Sequence, residues 1–160
     1  MKKTKARKLC FIELSNITNK GMRDLVISEK LNKELSKYKN IGVYMPIRNE
    51  CVLNLDSNFT LCYPRVIGKE MKYFDDSMGF ETSKFGIKEP ISDDEIIPDI
   101  IIAPCVGFFE NYRLGYGGGF YDRYLSKHQI KTIGIAYKET KLNSLEFNDY
   151  DICLSEIIEI

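Results

Sequence analysis

The chain has 160 residues, of which 44% are hydrophobic, 29% charged and 12% aromatic, a make-up that suits one folded domain with one core and excludes a disordered or fibrous chain. Lys plus Arg and Asp plus Glu both number 23, so the zero net charge excludes a global electrostatic grip on nucleic acid and a broad attraction to anionic membranes. The longest apolar run, Ile100 to Phe109, is broken by Pro104 and Gly107 and is too short to span a bilayer.

In chain order, Cys10, Leu14 and Ile17 mark a first helix, with Asn19-Lys20-Gly21 as its stop signal. Ile27, Leu31, Leu35 and Tyr38 mark one face of a second. Ile41 to Met45, ended by Pro46, reads as a buried strand. Further strands are predicted at Thr60 to Tyr63, Met71 to Phe74, Asp99 to Ala103, Thr132 to Ala136 and Ile152 to Leu154. Residues 75 to 98, rich in Asp, Ser, Gly and Pro, read as loop. A last helix is expected from about Gly118 to Lys127. Strands separated by helices predict an α/β fold: a single-domain layered structure over residues 1–160, with a central mainly parallel or mixed sheet flanked by helices.

Composition also limits the chemistry. The five cysteines are scattered, and none falls in a C-x-x-C pair, which argues against a disulfide framework or a zinc site of the usual spacing. A reducing, cytoplasmic setting is expected. No signal peptide is read, because no unbroken apolar stretch follows the basic start. The single histidine, His128, makes a Ser–His or Cys–His nucleophile pair improbable. The neutral total hides an asymmetry: Lys2, Lys3, Lys5, Arg7 and Lys8 open the chain without an acid, whereas six acids against Lys141 alone follow from Glu139 onward.

The most informative stretch is Arg113-Leu114-Gly115-Tyr116-Gly117-Gly118-Gly119-Phe120-Tyr121-Asp122-Arg123. Its glycines let a backbone approach a ligand closely. The helix start that follows offers unpaired N–H groups and partial positive charge, a combination that binds phosphate. Arg113 and Arg123 add fixed charge on either side. The stretch is not a P-loop, for no Gly-Lys-Ser/Thr follows, and not a dinucleotide fingerprint, for Phe120 stands where the third glycine belongs. The alternative is a glycine-rich turn that packs a helix on a sheet. Asp122 suits either a helix first turn or a Mg²⁺ ligand beside phosphates.

This segment resembles the signature of the 5-formyltetrahydrofolate cyclo-ligase (methenyltetrahydrofolate synthetase) family. Supporting matches run along the chain: Lys3 to Arg7, Tyr44 to Glu50, Tyr63 to Val66, Phe85 to Pro90, Pro104 to Phe108, Gly134 to Tyr137 and Asp149 to Asp151. The resemblance implies an enzyme that closes 5-formyltetrahydrofolate to 5,10-methenyltetrahydrofolate, with ATP as co-substrate and Mg²⁺, through a phosphorylated formyl intermediate. It implies ATP contacts from Lys3, Arg7, the run from Arg113 to Tyr121 and Arg123. It implies substrate contacts from Met45, Glu50 and Tyr116 to Phe120, metal ligation by Asp122 and Asp151, and catalytic roles for Arg113 and Tyr121. A monomer without nucleic-acid or membrane partners is expected.

Without the resemblance, Lys3 and Arg7 read as a solvated tail, Glu50 as a loop acid, and Met45 and Tyr121 as core. The chain departs from the family's pattern at Gly118, where many members have Lys, at Phe120, commonly Tyr, and in the shortened 108–112 segment. That shortened segment carries the alternative of a non-catalytic folate- or nucleotide-binding protein on the same fold.

Overall fold

The computed structural model describes all of residues 1–160. Helices α1 (Lys3–Ser15) and α2 (Lys20–Glu34) precede strands β1 (Asn40–Gly42), β2 (Thr60–Ile67), β3 (Glu70–Asp75), β4 (Phe80–Thr82) and β5 (Lys88–Pro90). Strands β6 (Ile100–Pro104), β7 (Gly107–Phe109) and β8 (Tyr112–Leu114) lead to helix α3 (Phe120–Lys127), and β9 (Thr132–Ala136) and β10 (Glu156–Glu159) close the chain. The main sheet has the order β10-β9-β6-β1-β2-β3, parallel throughout except for β3, which returns antiparallel along β2.

Parallel strands in the middle of such a sheet are covered on both faces and are therefore apolar at every position. This is why Ile100 to Ala103 are all buried. Alternation then divides them: Ile100 and Ile102 pack with Ala6, Cys10 and Leu14 of α1 and Ile27 and Leu31 of α2. Ile101 and Ala103 face the other way, against Tyr124 and Leu125 of α3. The sheet is thus the middle of three layers, as the α/β reading requires. No helix is long and apolar enough to cross a membrane.

Four expectations are corrected. The basic start is helical: Ala6, Cys10 and Leu14 recur every four residues and are buried, so the burial of one face folds a segment whose charges alone suggest a solvated tail. Asn19-Lys20-Gly21 does not stop α1, which ends at Ser15; Asn19, in the left-handed region at φ 52°, starts α2 instead. Residues 75 to 98 hold the β4–β5 hairpin, fastened by an edge-on Tyr63–Phe80 contact at 4.9 Å and by Arg65, which donates to the carbonyls of Pro90 and Ser92. Its three-residue strands are too short and polar to show a period.

The final strand lies at Glu156–Glu159 rather than Ile152 to Leu154. The latter residues are already engaged: the Ile152 N–H donates to Asp122, Cys153 bridges to Tyr112, and the Leu154 N–H donates to the Asn111 carbonyl. The shortened 108–112 segment is the β7–β8 hairpin, turned through Glu110 (φ 51°) and Asn111.

Gly107 sets the closest packing of α1. A Cβ there would stand 2.4 Å from Cys10 Sγ and 3.0 Å from the Thr140 carbonyl oxygen. Gly107→Ala is therefore expected to destabilise the fold by about 1–3 kcal/mol, and Cys10→Ala in the same chain to return part of the loss. Urea unfolding of the two variants checks this; equal stability of Gly107→Ala and the unaltered protein would refute it.

Candidate functional site

The carboxyl ends of parallel strands are where an open α/β sheet leaves a crevice. β1 ends in the segment from Val43 to Glu50, β6 ends at Pro104, and the loop before α3 passes over both. Together with the start of α1 and residues 148–152 they enclose a cleft of about 1160 Å³. Every residue assigned a site role from the sequence lines it, from Lys3 and Arg7 through Met45, Glu50 and the run from Arg113 to Arg123 to Asp151.

The floor of one end is backbone. None of the N–H groups from Gly115 through Asp122 donates a hydrogen bond within the protein. Tyr116, Gly117 and Gly118 are exposed and the rest of the run is half-buried, and a run of unpaired N–H groups ahead of a helix is an anion cradle. Glycine is required at two points: Gly117 has φ 107° and Gly119, which caps α3, has φ 69°.

Two arginines hold the loop by its carbonyls, and a third ties its base to the end of β6, while its N–H groups stay unpaired. Arg7 Nε donates to Gly115 O at 2.7 Å, and its guanidinium lies where a Cβ on Gly117 would meet it. Arg123 donates to Gly118 O at 2.8 Å and to Lys69 O at 2.9 Å. Arg113 donates through Nε and a terminal nitrogen to Pro104 O, at 3.1 and 3.0 Å, and its guanidinium lies 4.4 Å from the centre of the Tyr121 ring. Burial pushes the Tyr121 phenol up to about 12, with the Arg113 cation opposing. At neutral pH that hydroxyl keeps its proton and serves as a donor rather than a base.

The carboxylates meet beside the cradle. Asp122 Oδ1 accepts from the Ile152 N–H at 3.1 Å, which brings the first turn of α3 against the segment carrying Asp151. The second oxygen of Asp122 has no protein partner. Asp151 accepts from the Asn148 N–H at 2.7 Å and forms an ion pair with Lys3. Two carboxylates next to free N–H donors are the oxygen set Mg²⁺ uses when it binds together with phosphates, so the donors present fit that ion.

The other end of the cleft is built on Glu50. It is 5% exposed, and its Oε2 accepts from the Ile47 N–H at 2.9 Å. Burial raises its carboxyl from 4.5 to about 7, against the opposing pull of the Ile47 N–H, the Tyr116 hydroxyl and the cations of Arg113 and Arg48. The loop carrying it is held by Asp24 of α2: burial raises this carboxyl, but Lys20 (2.6 Å), the Tyr137 hydroxyl and the Val52 N–H (3.0 Å) together bring it below its usual value.

Sequence reasoning missed Arg48, Ile47 and the hairpin residues Phe85 to Glu89, which also line the cleft. The signal for both groups was the resemblance, whose matches include Tyr44 to Glu50 and Phe85 to Pro90 but which gave these residues no role. The residues of the shortened 108–112 segment do not line the cleft, so that departure leaves the site's walls unchanged.

Comparison with known proteins gives one answer. The model of the 5-formyltetrahydrofolate cyclo-ligase family matches residues 26–159. The 5-formyltetrahydrofolate cyclo-ligase of Mycoplasma pneumoniae is 36% identical over 150 residues, covering 82% of this chain and 84% of the relative. That of Mycoplasma genitalium is 30% identical over 155 residues, covering 84% of each. The structure of a 5,10-methenyltetrahydrofolate synthetase from Mycoplasma pneumoniae superposes with a TM-score of 0.80 at 30% identity, over 99% of this chain and 98% of that one. The synthetase of Aquifex aeolicus gives 0.75 at 26% identity, over 98% and 89%.

The carboxyl of Glu50 carries a pH prediction. Between pH 4.5 and about 7 the folded protein holds a proton that the unfolded chain has released, so stability falls as pH rises through that window. Glu50→Gln removes this slope. Its melting temperature relative to the unaltered protein is expected to be higher at pH 8 than at pH 5, and a difference independent of pH would contradict the burial argument.

Proposed function

The chain belongs to the 5-formyltetrahydrofolate cyclo-ligase family, and we propose that its cleft holds ATP and Mg²⁺ at the glycine loop and 5-formyltetrahydrofolate at Glu50. The family's activity makes it a ligase that closes the ring of this folate to give 5,10-methenyltetrahydrofolate. The observation that supports the site assignment is the run of unpaired N–H groups from Gly115 to Asp122 opening into the same cleft as a buried carboxyl.

The chemistry follows from what an amide resists. The formyl oxygen is a poor leaving group until it is phosphorylated. In the proposed sequence that oxygen attacks the γ-phosphorus of ATP; the new O–P bond forms as the bond to ADP breaks. N10 then adds to the formyl carbon and loses its proton, and the C–O bond breaks with release of phosphate. One product carbon is thereby bonded to both N5 and N10. None of these steps demands a strong protein base, which agrees with a cleft lacking histidine.

The chain's own residues contribute position and charge, as phosphoryl transfer requires. The N–H groups of 115–122 receive phosphate oxygens. Arg7, Arg113 and Arg123 fix the loop and add positive potential. The Tyr121 hydroxyl, held protonated and adjacent to Arg113, donates a hydrogen bond to developing charge. Mg²⁺, held by Asp122 and Asp151, would neutralise charge on the phosphates. Ionised Glu50 accepts in pairs from the N–H edge of the pterin, beside Met45 and Tyr116. The cleft is complete within one chain, which supports action as a monomer, and five unpaired cysteines, four of them buried, suit a reducing cytoplasm.

Two variants separate the ends of the cleft. Asp122→Asn retains an oxygen that can accept from the Ile152 N–H but loses the charge, and is expected to lower Mg²⁺-supported kcat by a hundredfold or more while folate binding persists; full turnover at ordinary Mg²⁺ would remove Asp122 from the metal site. Glu50→Ala is expected to raise KM for 5-formyltetrahydrofolate by about tenfold or more, with KM for ATP unchanged. Near-UV absorbance of the methenyl product reads both.

A further inference from the structure

Arg48 is the one arginine of the six in this chain that donates to no acceptor within the protein. It sits on the cleft wall two residues before Glu50, exposed, with its backbone in the left-handed region at φ 53°. A side chain other than glycine takes that conformation at a cost, which here turns the guanidinium onto two rings. It lies 5.2 Å from the centre of Phe11 and 5.5 Å from that of Tyr116, and those rings are 5.7 Å apart. The charge is therefore held in place by flat faces while its N–H groups stay free.

Its position along the cleft says which ligand it meets. Lys3, Arg7 and Phe11 recur every four residues of α1 and so follow one another along one face of the helix. Lys3 reaches Asp151, Arg7 reaches Gly115 and Gly117, and Phe11 reaches Tyr116 and Arg48. With a rise of about 1.5 Å per residue, Phe11 lies roughly 12 Å along the axis from Lys3. Arg48 thus stands at the end away from the carboxylates and phosphates, beside Glu50, whose carboxyl its charge helps to hold down.

We infer that Arg48 binds the glutamyl carboxylate of the folate substrate and so selects substrates that carry this anionic tail. The inference rests on the reading of the cleft given above: a pterin seated on Glu50 must direct its remaining benzoyl-glutamate outward, and Arg48 is the cation fixed beside that seat with donors to spare. A planar guanidinium matches a carboxylate through two parallel hydrogen bonds.

The test compares 5-formyltetrahydrofolate with 5-formyltetrahydropteroate, the same molecule lacking the glutamate, at saturating ATP and Mg²⁺. Arg48→Gln is expected to raise KM for the glutamyl substrate about tenfold, discounted from a buried contact because the site is open to solvent. KM for the pteroate should be unmoved, and Arg48→Lys should recover part of the loss. An equal rise for both substrates would mean that Arg48 acts by steadying Tyr116 and Glu50, and would overturn the inference. So would no rise for either. Absence of product from both substrates with the unaltered protein would instead overturn the reading of the cleft itself, and the inference with it.

Discussion

The arrangement of the site depends on one constraint: a loop whose amides all face outward must be held entirely by its carbonyls. From Gly115 to Asp122 the backbone gives no N–H to the protein. It is held by arginines that reach it from three elements, Arg7 from α1, Arg113 from β8 and Arg123 from α3, the first and last seizing loop carbonyls and Arg113 tying its base to the end of β6. The same cations that keep the amides free also set a positive potential in front of them. Construction and electrostatics are here one device, and this accounts for the dense use of arginine around so few glycines.

The two ends of the cleft obey opposite electrostatic rules. The end proposed for phosphate is open, lined by arginines and rich in donors. The end proposed for folate is closed around Glu50, an acceptor that burial makes reluctant to ionise and that its cationic neighbours pull back toward the charged form. In the proposed reading an N–H-rich heterocycle and a polyanion are thereby sorted to different places, within reach of each other. Helix α1 connects them, presenting Lys3, Arg7 and Phe11 in succession to Asp151, the glycine loop and Tyr116.

The departures from the family's pattern resolve differently in three dimensions. The shortened segment becomes a tight hairpin whose Asn111 carbonyl anchors Leu154, away from the cleft. At Gly118, where many members carry Lys, the carbonyl is gripped by Arg123. At Phe120 a ring faces the Arg123 guanidinium at 4.9 Å, so what is lost as a hydroxyl is partly regained as packing for a cation.

The sequence by itself determined the layered α/β class, the central strands and the glycine loop with its following helix. Continuous apolar runs and adjacent glycines are local signals, because buried parallel strands require apolar residues and the φ of 107° at Gly117 favours glycine. It did not show that the basic start is a helix of the site, for charge masks a period carried by Ala6, Cys10 and Leu14, residues small or weakly apolar in two cases of three. It misplaced the last strand, because Ile152 to Leu154 look as β-prone as Ile157 and Ile158, and only contacts with Asp122, Tyr112 and Asn111 decide between them. Nor did it single out Arg48, whose distinction is to lack a partner. Tertiary structure alone brought Lys3, Glu50, Asp122 and Asp151 to one cleft, since segments so far apart in the chain meet only where the ends of the parallel strands bring them together.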